Sequence, residues 1–192
     1  MSRARLTPAI VVAEAAQVAD EVGFDRLTLA AVAQRLGVAL PSLYKHIRGL
    51  DALRQQITTL ALGELTETIT TATIGRAGRD AVHALAAAYR DYARRHPGRY
   101  AATLRAPDPT DPAHVSAGET AVNVLYAVLA GYNLSGDRAV DAARFLRSAL
   151  HGFVALEAVG GFGLPQDVDR SYHRIVDTLD QAFTTWPDGD DQ

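Results

Sequence analysis

The chain has 192 residues, 48% of them hydrophobic and 21% charged, with a formal net charge of −3. That composition supports one or two small domains with a substantial core, and no apolar run reaches the roughly 18 residues that a membrane span needs. Cysteine is absent, which removes disulfides and thiolate metal sites and suits a reducing cytoplasm, the expected compartment. The opening MSRARLTPAIVVAEAAQVADE has its apolar patch broken by acids, so no signal peptide is expected. Charge is unevenly spread. Residues 1–54 hold seven Lys/Arg against five Asp/Glu, leaving twelve against seventeen in the remainder. A slightly basic first quarter on an acidic body is the direction expected if only that quarter meets a polyanion.

Nearly every segment has helical periodicity, with apolar residues three or four apart and no sustained alternation. Helix one is predicted over 8–22, capped by Thr7, opened by Pro8 and stopped by Gly23. Helix two spans 29–36 between Thr28 and Gly37, with Leu29, Val32, Ala33 and Leu36 on one stripe. Helix three is short, about 41–47, and turns Leu43 and Ile47 inward. A fourth helix begins near Asp51 and runs to about Thr71. A fifth covers 80–96 and stops at Pro97. The proline-rich RAPDPTDPAH is a loop, and helices follow over about 115–130, 137–159 and 167–184. The expectation is an all-α chain of about nine helices. Its parts are a helix-turn-helix domain over 1–54, a helical effector-binding and dimerisation domain over 55–186, and a disordered acidic tail over 187–192.

The stretch LTLAAVAQRLGVALPSLYKHIRGLDAL, Leu27 to Leu53, carries the chemistry. Gly37 ends helix two with positive φ, Val38 fills the interhelical angle, and Pro41 presets the start of helix three. With Leu43 and Ile47 as seats, Leu40, Ser42, Tyr44 and Lys45 are left outward, with His46 at the flank. That set suits a DNA major groove. Ser42 can bond a base edge or a phosphate, and Leu40 offers apolar surface to a thymine methyl. Tyr44, Lys45 and Thr28 can reach phosphates, and Pro41 keeps that end slim enough for close approach. The spacing alone also fits an ordinary helical bundle in which Tyr44 is a boundary aromatic.

With EVGFDR before it, this stretch closely resembles the DNA-binding domain of tetracycline-repressor-like (TetR/AcrR) transcriptional regulators. The shared pattern is Gly23, Leu27-Thr28, Val32-Ala33, Leu36-Gly37-Val38, Leu43-Tyr44, His46 and Leu53, within residues 6–54. The resemblance implies that Thr28, Ser42, Tyr44 and Lys45 contact an operator, with His46 and Arg48 on the DNA backbone. One position departs: where the family usually opens helix four with a phosphate-contacting lysine, this chain has Leu50, and Arg48 two residues earlier is the candidate replacement. The body has the family's layout, and HGFVALEAVGGFGLP, His151 to Pro165, resembles the C-terminal type marked by a WHG motif, with Phe145 to Gly152 covering that region.

A two-fold pair of readers spans half-sites about 34 Å apart or a multiple, so a homodimer is expected. Its candidate ridges are Ala149, Phe153, Leu156 and Gly160, facing Tyr172, Ile175, Val176, Leu179 and Phe183. The same ridges could instead pack inside one subunit. An effector pocket is expected from Tyr89, Tyr92, Tyr100, Leu104, Asn123, Leu125, Tyr126, Leu129, Arg144, Phe145 and His151, apolar walls with a few polar groups. His151 equally suits a satisfied or interfacial histidine.

The expected function is a ligand-responsive transcriptional regulator. As a dimer it represses from a palindromic double-stranded operator and is released by a small-molecule effector. No cofactor, metal or membrane partner is expected. The alternative is a helical dimeric scaffold or interaction protein without effector response. An enzyme is not expected. Ser148, His151 and Glu157 lack a nucleophile elbow and an oxyanion loop, and His114 and Glu119, five apart, do not share a helix face for a metal.

Overall fold

The computed structural model describes residues 6–105 and 108–187, and these form nine α-helices and no strand. Of the expected acidic tail, only Pro187 falls among the described residues. Helix α1, Pro8–Val22, starts as its sequence directs: Thr7 Oγ1 accepts from the Ile10 amide at 3.3 Å, and Gly23 leaves the helix with φ 93°. A single 3-10 turn, Phe24–Arg26, leads to α2, Leu29–Leu36, and α3, Leu40–Leu43. Helix α4, Leu50–Thr73, is followed by α5, Gly78–Arg95, and α6, Pro97–Ala102. Helices α7, Pro112–Ala130, α8, Gly136–Ala158, and α9, Val168–Thr184, complete the chain.

Helix α6 was not visible in the periodicity. Pro97 ends α5 as expected, because it has no amide to donate, yet it is also the first residue of a new helix, where that amide would be unused anyway. Gly98 explains the position of α6. A Cβ there would stand 2.0 Å from the Ala19 carbonyl oxygen, so only glycine lets α6 lie this close to α1. Beside it, the Arg99 amide and Nε each donate to the Asp20 carboxylate at 2.8 Å, and Arg99 Nη1 reaches Glu64 at 2.9 Å.

The chain divides into two compact units. The first holds the residues up to Glu64 together with Arg95–Gly118; the second holds Leu65–Arg94 and the residues from Glu119 onward. The first therefore extends well past residue 54. Its core is apolar and, Phe24 apart, aliphatic: Val11, Ala15, Ala19, Phe24, Leu27, Val32, Leu43, Ile47, Leu53 and Ile57 are all buried.

In the second unit, α5 buries Val82, Leu85 and Tyr89, α8 buries Leu146, Leu150 and Phe153, and α9 buries Tyr172, Val176, Leu179 and Phe183. A cation sits within this apolar packing. Arg90, 8% exposed, lies over the rings of Tyr172 and Phe153, 4.7 and 5.5 Å from their centroids. It also donates to Glu157 at 2.8 Å and Asp169 at 2.7 Å. The guanidinium hydrogen bonds hold both carboxyls below their ordinary range.

Candidate nucleic-acid interface

The reading surface is built by local rules. Thr28 Oγ1 accepts from the Ala31 amide at 3.2 Å, which caps α2. Gly37 adopts φ 63°, and the Val38 amide returns to the Ala33 carbonyl at 3.0 Å, closing α2. Helix α3 is only four residues long. Hydrogen-bonded turns continue it, with the His46 and Ile47 amides both donating to the Leu43 carbonyl. Leu43 is wholly buried and Ile47 nearly so, so this short segment is seated by two side chains one turn apart.

Seating those two turns the others out. Tyr44 is 57% exposed and Leu40 38% exposed; Thr28, Pro41, Lys45 and Arg48 are exposed, and Ser42 and His46 are half-buried. All eight residues expected to meet DNA lie within the first unit on α2, α3 and the turns after it. Among the described residues no ion pair engages Lys45 or Arg48, and both ammonium and guanidinium remain available to an anion. Leu50, at the head of α4, packs against the aliphatic core instead, which leaves Arg48 as the exposed cation at this corner.

Comparison with known proteins resolves what kind of chain carries this surface. Residues 11–57 match the bacterial regulatory proteins of the tetR family, and residues 82–179 match the tetracyclin repressor-like C-terminal domain. The chain belongs to the TetR family of transcriptional regulators. It is 40% identical over 158 residues to an uncharacterized HTH-type transcriptional regulator of Mycobacterium tuberculosis, Rv0681, covering 82% of this chain and 72% of that one. Two solved structures share the fold. One is a tetracycline repressor variant from Acinetobacter baumannii AYE in complex with minocycline, with TM-score 0.71 and 24% identity, covering 96% of this chain and all of the other. The second is BioQ with its double-stranded DNA operator, with TM-score 0.64 and 23% identity, covering 92% and 99%.

Within this TetR-family chain the expected pocket residues are divided between the two units. Tyr100 and Leu104 belong to the first unit and the others to the second. Tyr89, Tyr92, Tyr100 and Leu129 are buried, Leu125, Tyr126 and His151 half-buried, and Leu104, Asn123, Arg144 and Phe145 exposed. Arg144 pairs at the surface with Asp141, 3.4 Å away on its own helix, and Phe145 packs on Phe183 and Trp186. Among the described residues the buried polar and charged side chains are others: Thr58, Thr66, Arg90, Thr103 and His114. A cleft of about 460 Å³ does open in the second unit, lined from α5 and α9 by residues including Asp80, His83, Arg90, Arg94 and His173. It shares no residue with the expected set.

The residues of the expected dimer ridges differ in exposure. Phe153, Tyr172, Val176, Leu179 and Phe183 are buried within their own unit, and the Tyr172 hydroxyl donates to the Ala86 carbonyl at 2.7 Å. The apolar stripe of α9 is consumed in holding α9 on α5 and α8. Leu156 and Gly160 are exposed and Ile175 is half-buried.

Proposed function

We propose that this TetR-family regulator binds a palindromic operator as a homodimer, with α3 in the major groove, and represses until a small-molecule effector releases it. The observation that carries the reading is the exposed flank of α3 around Tyr44 and Lys45, set on the two buried anchors Leu43 and Ile47. Ser42 and Leu40 would meet base edges, while Thr28, Tyr44, Lys45, His46 and Arg48 would hold phosphates and fix the register. That BioQ, of the same fold, is known with its DNA operator supports the docking geometry.

Dimerisation is assigned to the α8 and α9 surfaces not used inside the subunit. Along α8 these are Gly152, Ala155 and Leu156, and Val159, Phe162 and Leu164 continue the exposed apolar surface beyond it. Gly152 has open space where a Cβ would stand, which favours close approach of another helix. Effector release is supported by the minocycline-bound structure of a similar fold. Coupling of about 1–3 kcal/mol would weaken operator binding by roughly 5–150-fold. The site of action is the cytoplasm, where the DNA lies; no helix among the described residues is long and apolar enough to cross a membrane. The direct test is a gel shift with duplex DNA taken from beside the protein's own coding region. A specific, salt-sensitive shift is expected. A protein that ignores this DNA at every salt concentration would instead be the helical scaffold.

A further inference from the structure

We propose that Arg54 is a positioning residue for operator recognition, acting by closing the reading helices into a ring; this rests on the operator-binding reading above. Helix α3 passes into α4 through residues 44–49, so one end of the reading segment is tied to α4 by the chain itself. Arg54, one turn into α4, ties the other end. Its Nη2 donates to the Asp25 carbonyl at 2.9 Å and to the Leu27 carbonyl at 3.5 Å. Leu27 immediately precedes Thr28, whose hydroxyl caps α2. Residues 27–54 therefore form a loop closed by a guanidinium, containing α2, the turn, α3 and the head of α4.

The same 3-10 turn is held from a second side. Arg105 lies over the Phe24 ring, 5.3 Å from its centroid, with its guanidinium 3.9 Å from the Asp25 carboxylate. Stability alone does not account for Arg54. Its contact with Asp51 is 4.0 Å long and ends on a fully exposed carboxylate, a kind of pair that contributes little. Its Nε is buried without a partner, an unfavourable feature that an apolar side chain of the same shape would avoid. The two carbonyl bonds, both made by Nη2, are what the guanidinium adds, and they need a donor at the reach of the arginine head. Their consequence is angular: they hold the start of α2, and through the turn α3, against α4, and that angle sets how two readers are spaced in a dimer.

The full-length protein tests this on the intergenic duplex and on versions whose half-sites are moved apart or together by one base pair. Arg54→Met keeps the aliphatic stem and removes both the donors and the unpartnered Nε, so its thermal midpoint is expected to stay within about 3 °C of wild type. Operator affinity is expected to fall about ten-fold, with the preference for native spacing reduced, and Arg54→Lys should lie between. Should Arg54→Met fail to fold, Arg54→Gln is judged by the same readouts. Wild-type affinity and spacing preference in the variant would overturn the inference. So would an affinity loss equal on every spacing and matched by a fallen midpoint, since that describes a merely structural residue. Wild-type protein that shifts none of these duplexes would overturn the operator-binding reading itself, and this inference with it.

Discussion

Tyr44 and Lys45 are exposed in the turn that follows α3, and neither helps to seat it. Replacing both by Ala should therefore leave folding intact and lower operator affinity by about 10–100-fold in a gel shift. Removing one phosphate-binding side chain should reduce the slope of log affinity against log salt by about one, so the double variant's dimer should show a slope at least about two units shallower. Leu43→Ala should do the opposite, destabilising the fold by about 2–5 kcal/mol in urea titrations because a wholly buried anchor is removed. Glu157 makes a prediction about acid. Its carboxyl is held below its ordinary 4.5, first by the hydrogen bond from Arg90. A depressed carboxyl stabilises the fold above its unfolded value, and that contribution is lost as pH falls from about 4.5 through the folded value. Thermal midpoints measured between pH 6 and pH 3 should fall less steeply in Glu157→Gln, from a lower starting value.

At the scale of elements, α1 and α6 show what decides whether two helices can touch. Gly98 meets the Ala19 backbone where any side chain would collide, so Gly98→Ala must push the helices apart or bend one of them. The expected cost is about 2–3 kcal/mol, read as a fall of roughly 5–10 °C in thermal midpoint. The Asp20–Arg99–Glu64 bonds beside it join α1, α6 and α4 within the first unit. The unit that carries the reading helices thus includes a helix about sixty residues further along the chain. No local pattern announces that. The caps at Thr7 and Thr28 and the stops at Gly23 and Gly37 could be placed from sequence because capping is satisfied within a turn of the residue that provides it. Helix α6 could not, since six residues opened by a proline resemble the end of α5 continued into a loop.

For the whole molecule, the open question of assembly concerns which apolar surface remains after the subunit has folded. The α9 stripe is largely spent inside the second unit, whereas Leu156 at 51% on α8 and Val159 at 78% just beyond it remain exposed. Ala155→Arg combined with Leu156→Glu should leave the helical content unchanged and yield a monomer in light scattering. The same variant should lose the operator shift, because one reader covers a single half-site.

Local chemistry sufficed for the elements of the candidate reading surface: caps, glycine stops and the spacing of Leu43 and Ile47 determine α2, the turn and α3, while the class came from the family pattern those residues carry. Those constraints act over one or two turns and are written consecutively in the chain. Tertiary packing decided the rest. An apolar stripe on α9 reads the same whether it faces its own subunit or another, and Arg144 reads as a pocket group until its helix is rotated against its neighbours. The buried Arg90 and the Arg54 clamp depend on partners far away in sequence, Glu157, Asp169, Asp25 and Leu27. Only folding brings those atoms within hydrogen-bonding distance, so no spacing rule could have named them.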